Sequence, residues 1–340
     1  MQTTEMTKTH RPRPAAPGRR LTPAVREHLY VYLPLLAILV GLSAVAAANN
    51  GAFLSGTNIE RMLVASSVLG VLAVGQTFLL VGGQLDLSVG SLVSLGSVIT
   101  AKLVIGNVPD VVAVLASIAV GAAAGILWGL LVSLLRVPPF ILTLGGLAVF
   151  ASVALTMAKS TPIALPTGLE WLQSGSLLGL RTPTLIWLLC LIAGGVLLHF
   201  TRFGRNVYAL GANEEAAFLS GVATTRTKIM IYLINGALSG LAAVIITGRV
   251  SAGDPRAGVG LELMVIAAIV LGGSSLAGGR GSMLGSMLGV LVLGVVTSAL
   301  TFLNVPDSYD QFVFGAILIA AVSVTAVAEV RRRRRVRLRT

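Results

Sequence analysis

Residues able to do covalent or acid–base chemistry are sparse in this chain of 340 residues. The three histidines, His10, His28 and His199, stand far apart near segment ends, so no histidine-based active site is expected. Cys190 is the single cysteine and sits in an apolar run, which excludes an internal disulfide. No cluster of His, Cys, Asp and Glu has metal-ligand spacing. No Gly-Lys-Ser/Thr loop is present to cradle a nucleotide's phosphates. The expectation is a chain with no catalytic residue, no metal and no cofactor. The polar groups that stand out are of another kind. Gln84, Asp86 and Ser88 follow the glycine pair Gly82-Gly83, and Asn235 lies inside an apolar run. These four could line a path for a polar solute, or hydrogen-bond helices to one another.

The elements that must hold them are membrane spans. The chain is 55% hydrophobic and 11% charged, with mean hydropathy +0.90, where soluble domains carry roughly 25% charged residues. Its apolar runs approach the roughly 20 residues that cross a bilayer as a helix, and the short alternating segments of a barrel are missing. The fold class is therefore all-α, a polytopic helical membrane protein. Ten spans are expected, at about 29–48, 62–81, 87–105, 111–135, 140–158, 184–200, 229–247, 261–276, 282–303 and 309–328. Ionisable candidates inside them are Asp86, Lys102 and Glu262. Ion-driven transporters keep buried ionisable groups for the ion, so this scarcity argues for an energy source outside the membrane domain.

Residues 1–28 are polar and rich in Pro and Arg, which reads as a disordered tail. Ala46-Ala47-Ala48 resembles a signal-peptidase site, but the run before it is long and further spans follow, so the first span is read as an uncleaved anchor. Asp86 can cap the third span, either at the headgroup level or beside a break in regular helix. Gly121, Gly125 and Gly129 fall four apart on one helix face, as do Gly281, Gly285 and Gly289, a pattern for close helix packing. Gly82-Gly83 and Gly272-Gly273 each precede a Ser/Gly-rich helix start, an internal echo of the kind common in transporters. Basic residues set the orientation. With both termini cytoplasmic, Arg136, the 201–228 loop, Arg280 and the Arg-rich tail at 329–340 all fall inside. That tail reads as a membrane-lipid surface anchor. The net charge of +12 thus reflects topology, and no nucleic-acid partner is expected.

The 201–228 loop is the one long polar interruption between two apolar blocks. Asn213 can cap a short helix over 214–220, Glu214 and Glu215 suit its positive end, and Gly221 stops it. Two turns are marginal alone in water, so the helix makes sense if another protein holds it. The alternative is an ordinary linker with one stray turn.

Three stretches together resemble one family. They are Gly82-Gly83-Gln84-Leu85-Asp86-Leu87-Ser88-Val89-Gly90-Ser91, the loop from Gly204 to Gly221, and Val270-Leu271-Gly272-Gly273 through Gly278-Gly279-Arg280-Gly281. The chain is similar to the permease subunit of bacterial ABC importers of the ribose/monosaccharide type, within the group that includes branched-chain amino acid permeases. It departs from the family's Gly-Gly-x-Asp-Leu-Ser-Val-Gly by having two residues, Gln84-Leu85, before the aspartate. The resemblance covers roughly residues 30–328. It implies a multi-pass protein of the bacterial inner membrane and a permease pair, usually a homodimer. It also implies two cytoplasmic ATPase subunits and an extracytoplasmic solute-binding protein. The loop helix would be the coupling helix, with Phe218 and Leu219 as apolar anchors and Asn213, Glu214, Glu215, Ala216, Ser220 and Gly221 completing it. The implied solute is a monosaccharide, with a branched-chain amino acid or another small solute as the alternative. A secondary transporter or channel working alone is the rival class, and a membrane scaffold the third.

Overall fold

The computed structural model describes residues 23–306 and scattered positions between 309 and 323, with side chains from residue 32 onward. Helix α1 (Pro23–Asn49) is followed by a 3-10 turn at Gly51–Leu54 and by α2 (Gly56–Val81), α3 (Val89–Ile105), α4 (Asp110–Leu134) and α5 (Pro139–Met157). An outer connection holds β1 (Ile163–Ala164), α6 (Glu170–Gln173), β2 (Ser176–Leu177) and β3 (Leu180–Arg181). Then come α7 (Thr182–Phe200), α8 (Arg202–Ala212), α9 (Glu214–Leu219), α10 (Thr224–Val250), β4 (Ala252–Gly253), α11 (Leu261–Leu271) and α12 (Met283–Phe302). Strand β1 pairs antiparallel with β4, Ile163 opposite Gly253, while β2 and β3 form a hairpin. Among the described residues seven helices are long and apolar enough to cross a membrane, and α3 and α11 are shorter apolar helices. The tenth expected span, 309–328, and both tails lie mostly outside the described residues.

Helix α2 is the axis of the bundle. Ser55 caps it by accepting the Asn58 N–H at 3.3 Å, and every residue from Ser66 to Val81 is buried. Around it pack α7, α10, α11 and α12. A Cβ on Gly70 would collide with the Trp187 indole of α7. The closest helix pair is α4 with α10. There Gly121 faces the Gly236 carbonyl and Gly236 faces the Gly121 carbonyl, Gly125 lies on Tyr232, and Gly129 on Ile229. On α12, Gly285 faces the Gly272 carbonyl and Gly289 the Ala268 carbonyl. Gly281 precedes that helix and sits in the break before it.

Several boundaries differ from expectation. The described part of α1 already includes residues from Pro23 on, inside the expected tail. Glu60 and Arg61 belong to α2, not to the loop before it. The eighth span stops at Leu271, since Gly272 and Gly273 close a C-terminal cap in which Ser274 N–H donates to the Ile269 carbonyl. Helix α10 takes in residues 224–228, which were expected in the loop.

The largest difference concerns depth. Past Gly83 the chain turns back into the bundle: the Asp86 carbonyl accepts from Gln76 Nε2 at 3.0 Å, about 8 Å up α2 from Val81 at 1.5 Å per residue. From the opposite end, the segment after β4 descends along α3. Asp254 N–H donates to Ser97 Oγ at 3.2 Å and Gly258 N–H to Ser94 Oγ at 2.9 Å. A Cβ on Gly90 would strike the Gly258 carbonyl and the Glu262 carboxylate. The first turns of α3 and α11 therefore meet inside the protein, reached by irregular backbone from opposite ends. Non-helical chain at membrane depth is tolerated when protein satisfies its polar groups, and the serines of α3 do so here.

Candidate functional site

Gln84, Asp86, Ser88 and Asn235 come together at the first of these breaks, each at most 8% exposed. Asp86 does not cap α3, whose N-cap is Ser88 without a side-chain cap bond. Instead its Oδ1 accepts from Ser88 N–H at 2.8 Å and from Ser88 Oγ at 2.6 Å, and its Oδ2 from Asn235 Nδ2 at 3.0 Å. Trp128 Nε1 donates to Ser88 Oγ at 3.0 Å, and the Tyr232 hydroxyl to the Leu85 carbonyl at 3.2 Å and Gln84 Oε1 at 3.5 Å. Buried in protein, Asp86 belongs to the break in regular helix and not to a solvent-facing cap. The network ties α3, α4 and α10 around the break. Sequence reading named Gln84, Asp86, Ser88 and Asn235 but missed Gln76, Trp128 and Tyr232, whose spacing in the chain carries no sign of this meeting.

The second assembly lies at the bundle end where α8, α9 and both glycine pairs meet. Thr201 Oγ1 accepts from Gly204 N–H at 3.2 Å and starts α8, whose Gly204, Val207 and Leu210 are buried. Sequence reading left this helix inside a loop. Its signal was present in the Thr201 cap and in Phe203, Val207 and Leu210 at three- and four-residue spacing. The Tyr208 hydroxyl donates to the Gly281 carbonyl at 2.7 Å. Burial, with Tyr32 nearby, pushes the Tyr208 phenol up to about 12, so it stays a donor at any working pH.

Helix α9 follows at once. Asn213 Oδ1 accepts from Ala216 N–H at 2.9 Å, Glu214 pairs with Lys228 of α10 at 2.6 Å, and Ser220 Oγ donates to the Ala216 carbonyl at 2.8 Å. Gly221, at φ +84°, reverses the chain. Ala217 is buried against the protein. Glu215, Ala216, Phe218 and Leu219 point outward, the last two at 66% and 78% exposed. Arg202 and Arg205 are also exposed.

At Gly211, α8 meets both breaks directly through backbone. Gly279 N–H donates to the Val81 carbonyl at 2.8 Å. A Cβ on Gly211 would strike that same carbonyl and come within 2.6 Å of the Gly279 nitrogen. One on Gly278 would lie 2.6 Å from the Gly211 carbonyl and 2.8 Å from the Gly83 Cα. Gly83, Gly278 and Gly279 all have positive φ, at 71°, 84° and 71°, which only glycine adopts readily. Two residues before the α9 cap, bare backbone thus touches both glycine breaks. Among the described residues no group of His, Cys, Asp or Glu could hold a metal ion.

The chain matches the family described as branched-chain amino acid transport system / permease component over residues 58–322, and it belongs to that family. It is 38% identical over 292 residues to the ribose import permease protein of Bacillus subtilis, covering 85% of this chain and 90% of that one. The ribose import permease protein of Escherichia coli K12 is likewise 38% identical, covering 85% and 92%. An L-arabinose ABC transporter permease protein of Azospirillum brasilense is 36% identical, covering 79% and 80%. No solved structure matches the chain.

Proposed function

We propose that this chain is the membrane-spanning subunit of an ATP-driven importer of a monosaccharide in a bacterial inner membrane. It would be paired with a second copy or a similar permease, energised by two cytoplasmic ATPase subunits and loaded by an extracytoplasmic binding protein. The observation that carries the reading is α9, an exposed, capped helix of six residues joined to both breaks through glycine backbone. A helix so short is marginal by itself, and its outward Phe218 and Leu219 need an apolar groove. An ATPase subunit supplies one. Asn213, Glu214 and Glu215 form the polar rim of that contact, and Ala216, Ser220 and Gly221 hold its shape. The relatives named for ribose, arabinose and allose transport support a neutral sugar as the solute.

Coupling then has a physical route. When the ATPase subunits close, α9 and α8 move as one, because Asn213 is shared by the end of α8 and the start of α9. Gly211 carries that motion to Val81, Gly83, Gly278 and Gly279 without the slack of side chains. The breaks at Gly82–Ser88 and Gly272–Gly281 are where helices can reorient. In the arrangement described here, Gln84, Asp86, Ser88 and Asn235 are closed on one another. They would face the path only when the first break opens. Cysteines at these positions should gain reactivity to water-soluble reagents during ATP turnover; steady protection would remove them from the path.

The test of coupling is co-purification of the ATPase subunit with Phe218→Asp and Glu215→Arg chains, followed by sugar uptake. Phe218→Asp places a charge in the apolar contact and should abolish the complex; Glu215→Arg should weaken it. Full complex and full uptake in both variants would refute the assignment.

A further inference from the structure

A cavity of about 550 Å³ opens at the other end of the bundle, between α2, α10, α11 and α12. Its size lies within the range of about 300–1,000 Å³ usual for small-molecule sites. Arg61 and Arg249 both line it, and both also line an adjacent cavity of about 430 Å³ that holds Glu60 and Arg181. Glu60 is committed to Arg181. Among the described residues neither Arg61 nor Arg249 has a carboxylate partner; Arg249 Nη1 donates to the Ala65 carbonyl at 3.2 Å. The cavity therefore offers guanidinium donors.

It also offers acceptors. Thr297 Oγ1 spends its hydrogen on the Leu293 carbonyl at 3.1 Å, and Thr301 Oγ1 on the Thr297 carbonyl at 3.0 Å. Their remaining lone pairs can accept. Met62, Met264 and Leu293 supply an apolar wall. An inorganic or lipid phosphate would use the arginines, but its charged oxygens gain nothing from the wall of Met62, Met264 and Leu293. A neutral aldose has hydroxyls that both donate and accept, and a C–H face for the methionines.

We infer that this cavity is a low-affinity receiving subsite for a neutral aldose, with Arg61 and Arg249 as donors to its hydroxyls and Thr297 and Thr301 as acceptors. The inference rests on the import reading above, which sets this end outward. It adds where the sugar first meets the membrane subunit.

Because Cys190 is the single native cysteine, Cys190→Ala with Ala65→Cys, at a small residue lining both cavities, gives one reporter thiol. The full transporter is reconstituted in nanodiscs. The rate of modification by a small methanethiosulfonate is measured with D-ribose, L-arabinose, D-xylose or D-allose, and separately with inorganic phosphate. At an aldose concentration about ten times a millimolar Kd, labelling should slow by roughly tenfold, and Arg249→Gln should remove that protection while the ATPase subunit still co-purifies. Ala52→Cys, at another lining residue, repeats the measurement at a second position in case the first variant does not assemble. Protection by phosphate in place of an aldose would make this an anion or lipid-headgroup site. Unprotected labelling by an aldose that the same complex imports would take the cavity off the path. Both results overturn the inference and leave the import reading standing, whereas failure to import any of the four sugars strikes that reading. Aldose protection in that last case would still support the subsite.

Discussion

Asp86 gathers the Ser88 N–H, the Ser88 hydroxyl and the Asn235 amide onto one carboxylate. Removing it strands buried donors, each costing about 1–3 kcal/mol. Asp86→Ala should therefore lower the melting temperature of the detergent-solubilised protein markedly. Asp86→Asn should sit between it and the parent, because its amide oxygen still accepts from Ser88. Equal melting of all three would mean that the network contributes nothing. Asn213 acts at the same scale with a local effect. Asn213→Ala deletes the α9 cap, worth about 1 kcal/mol, and hydrogen exchange of amides 216–220 should quicken while Asn213→Asp stays near the parent. The cap was legible in the sequence because its donor lies three residues on. The role of Asp86 was not, because Asn235 lies 149 residues away and local pattern offers the more familiar helix cap.

Helices here are held by contacts that glycine alone permits. At the α4–α10 crossing, a Cβ on Gly121 would meet the Gly236 carbonyl and backbone. Gly121→Ala should destabilise by about 1–3 kcal/mol through overpacking, seen as earlier thermal aggregation. Gly145→Ala is the control, since nothing lies within 4 Å of that position. Gly211→Ala is the sharper test of transmission. It should leave α9 exposed and the ATPase subunit bound, yet cut sugar uptake at least tenfold per ATP hydrolysed, a coupling change of about 1.4 kcal/mol. Uptake and hydrolysis equal to the parent would sever the glycine route. The glycine stripe on α4 could be read from its four-residue spacing, since helix geometry converts spacing into a face. The short lengths of α3 and α11 could not. Their irregular partners, 82–88 and 251–260, look like ordinary loops until tertiary contacts carry them into the bundle.

As a whole the molecule has an asymmetric design. One end presents bare backbone behind an exposed helix, and the other a cavity lined by Arg61 and Arg249. Membrane class was readable from composition and run length, because the bilayer constrains both strongly. The meeting of two re-entrant segments in the interior was hidden, because it depends on which serines face which backbone. Nothing among the described residues supplies an energy source, so the account stands or falls on whether the chain moves solute unaided. The direct measurement is D-ribose flux into vesicles holding the permease alone, and into vesicles holding it with its ATPase subunit, binding protein and ATP. The account predicts no flux above empty vesicles in the first case and ATP-dependent accumulation in the second. Accumulation or rapid equilibration of the sugar by the permease alone would contradict it.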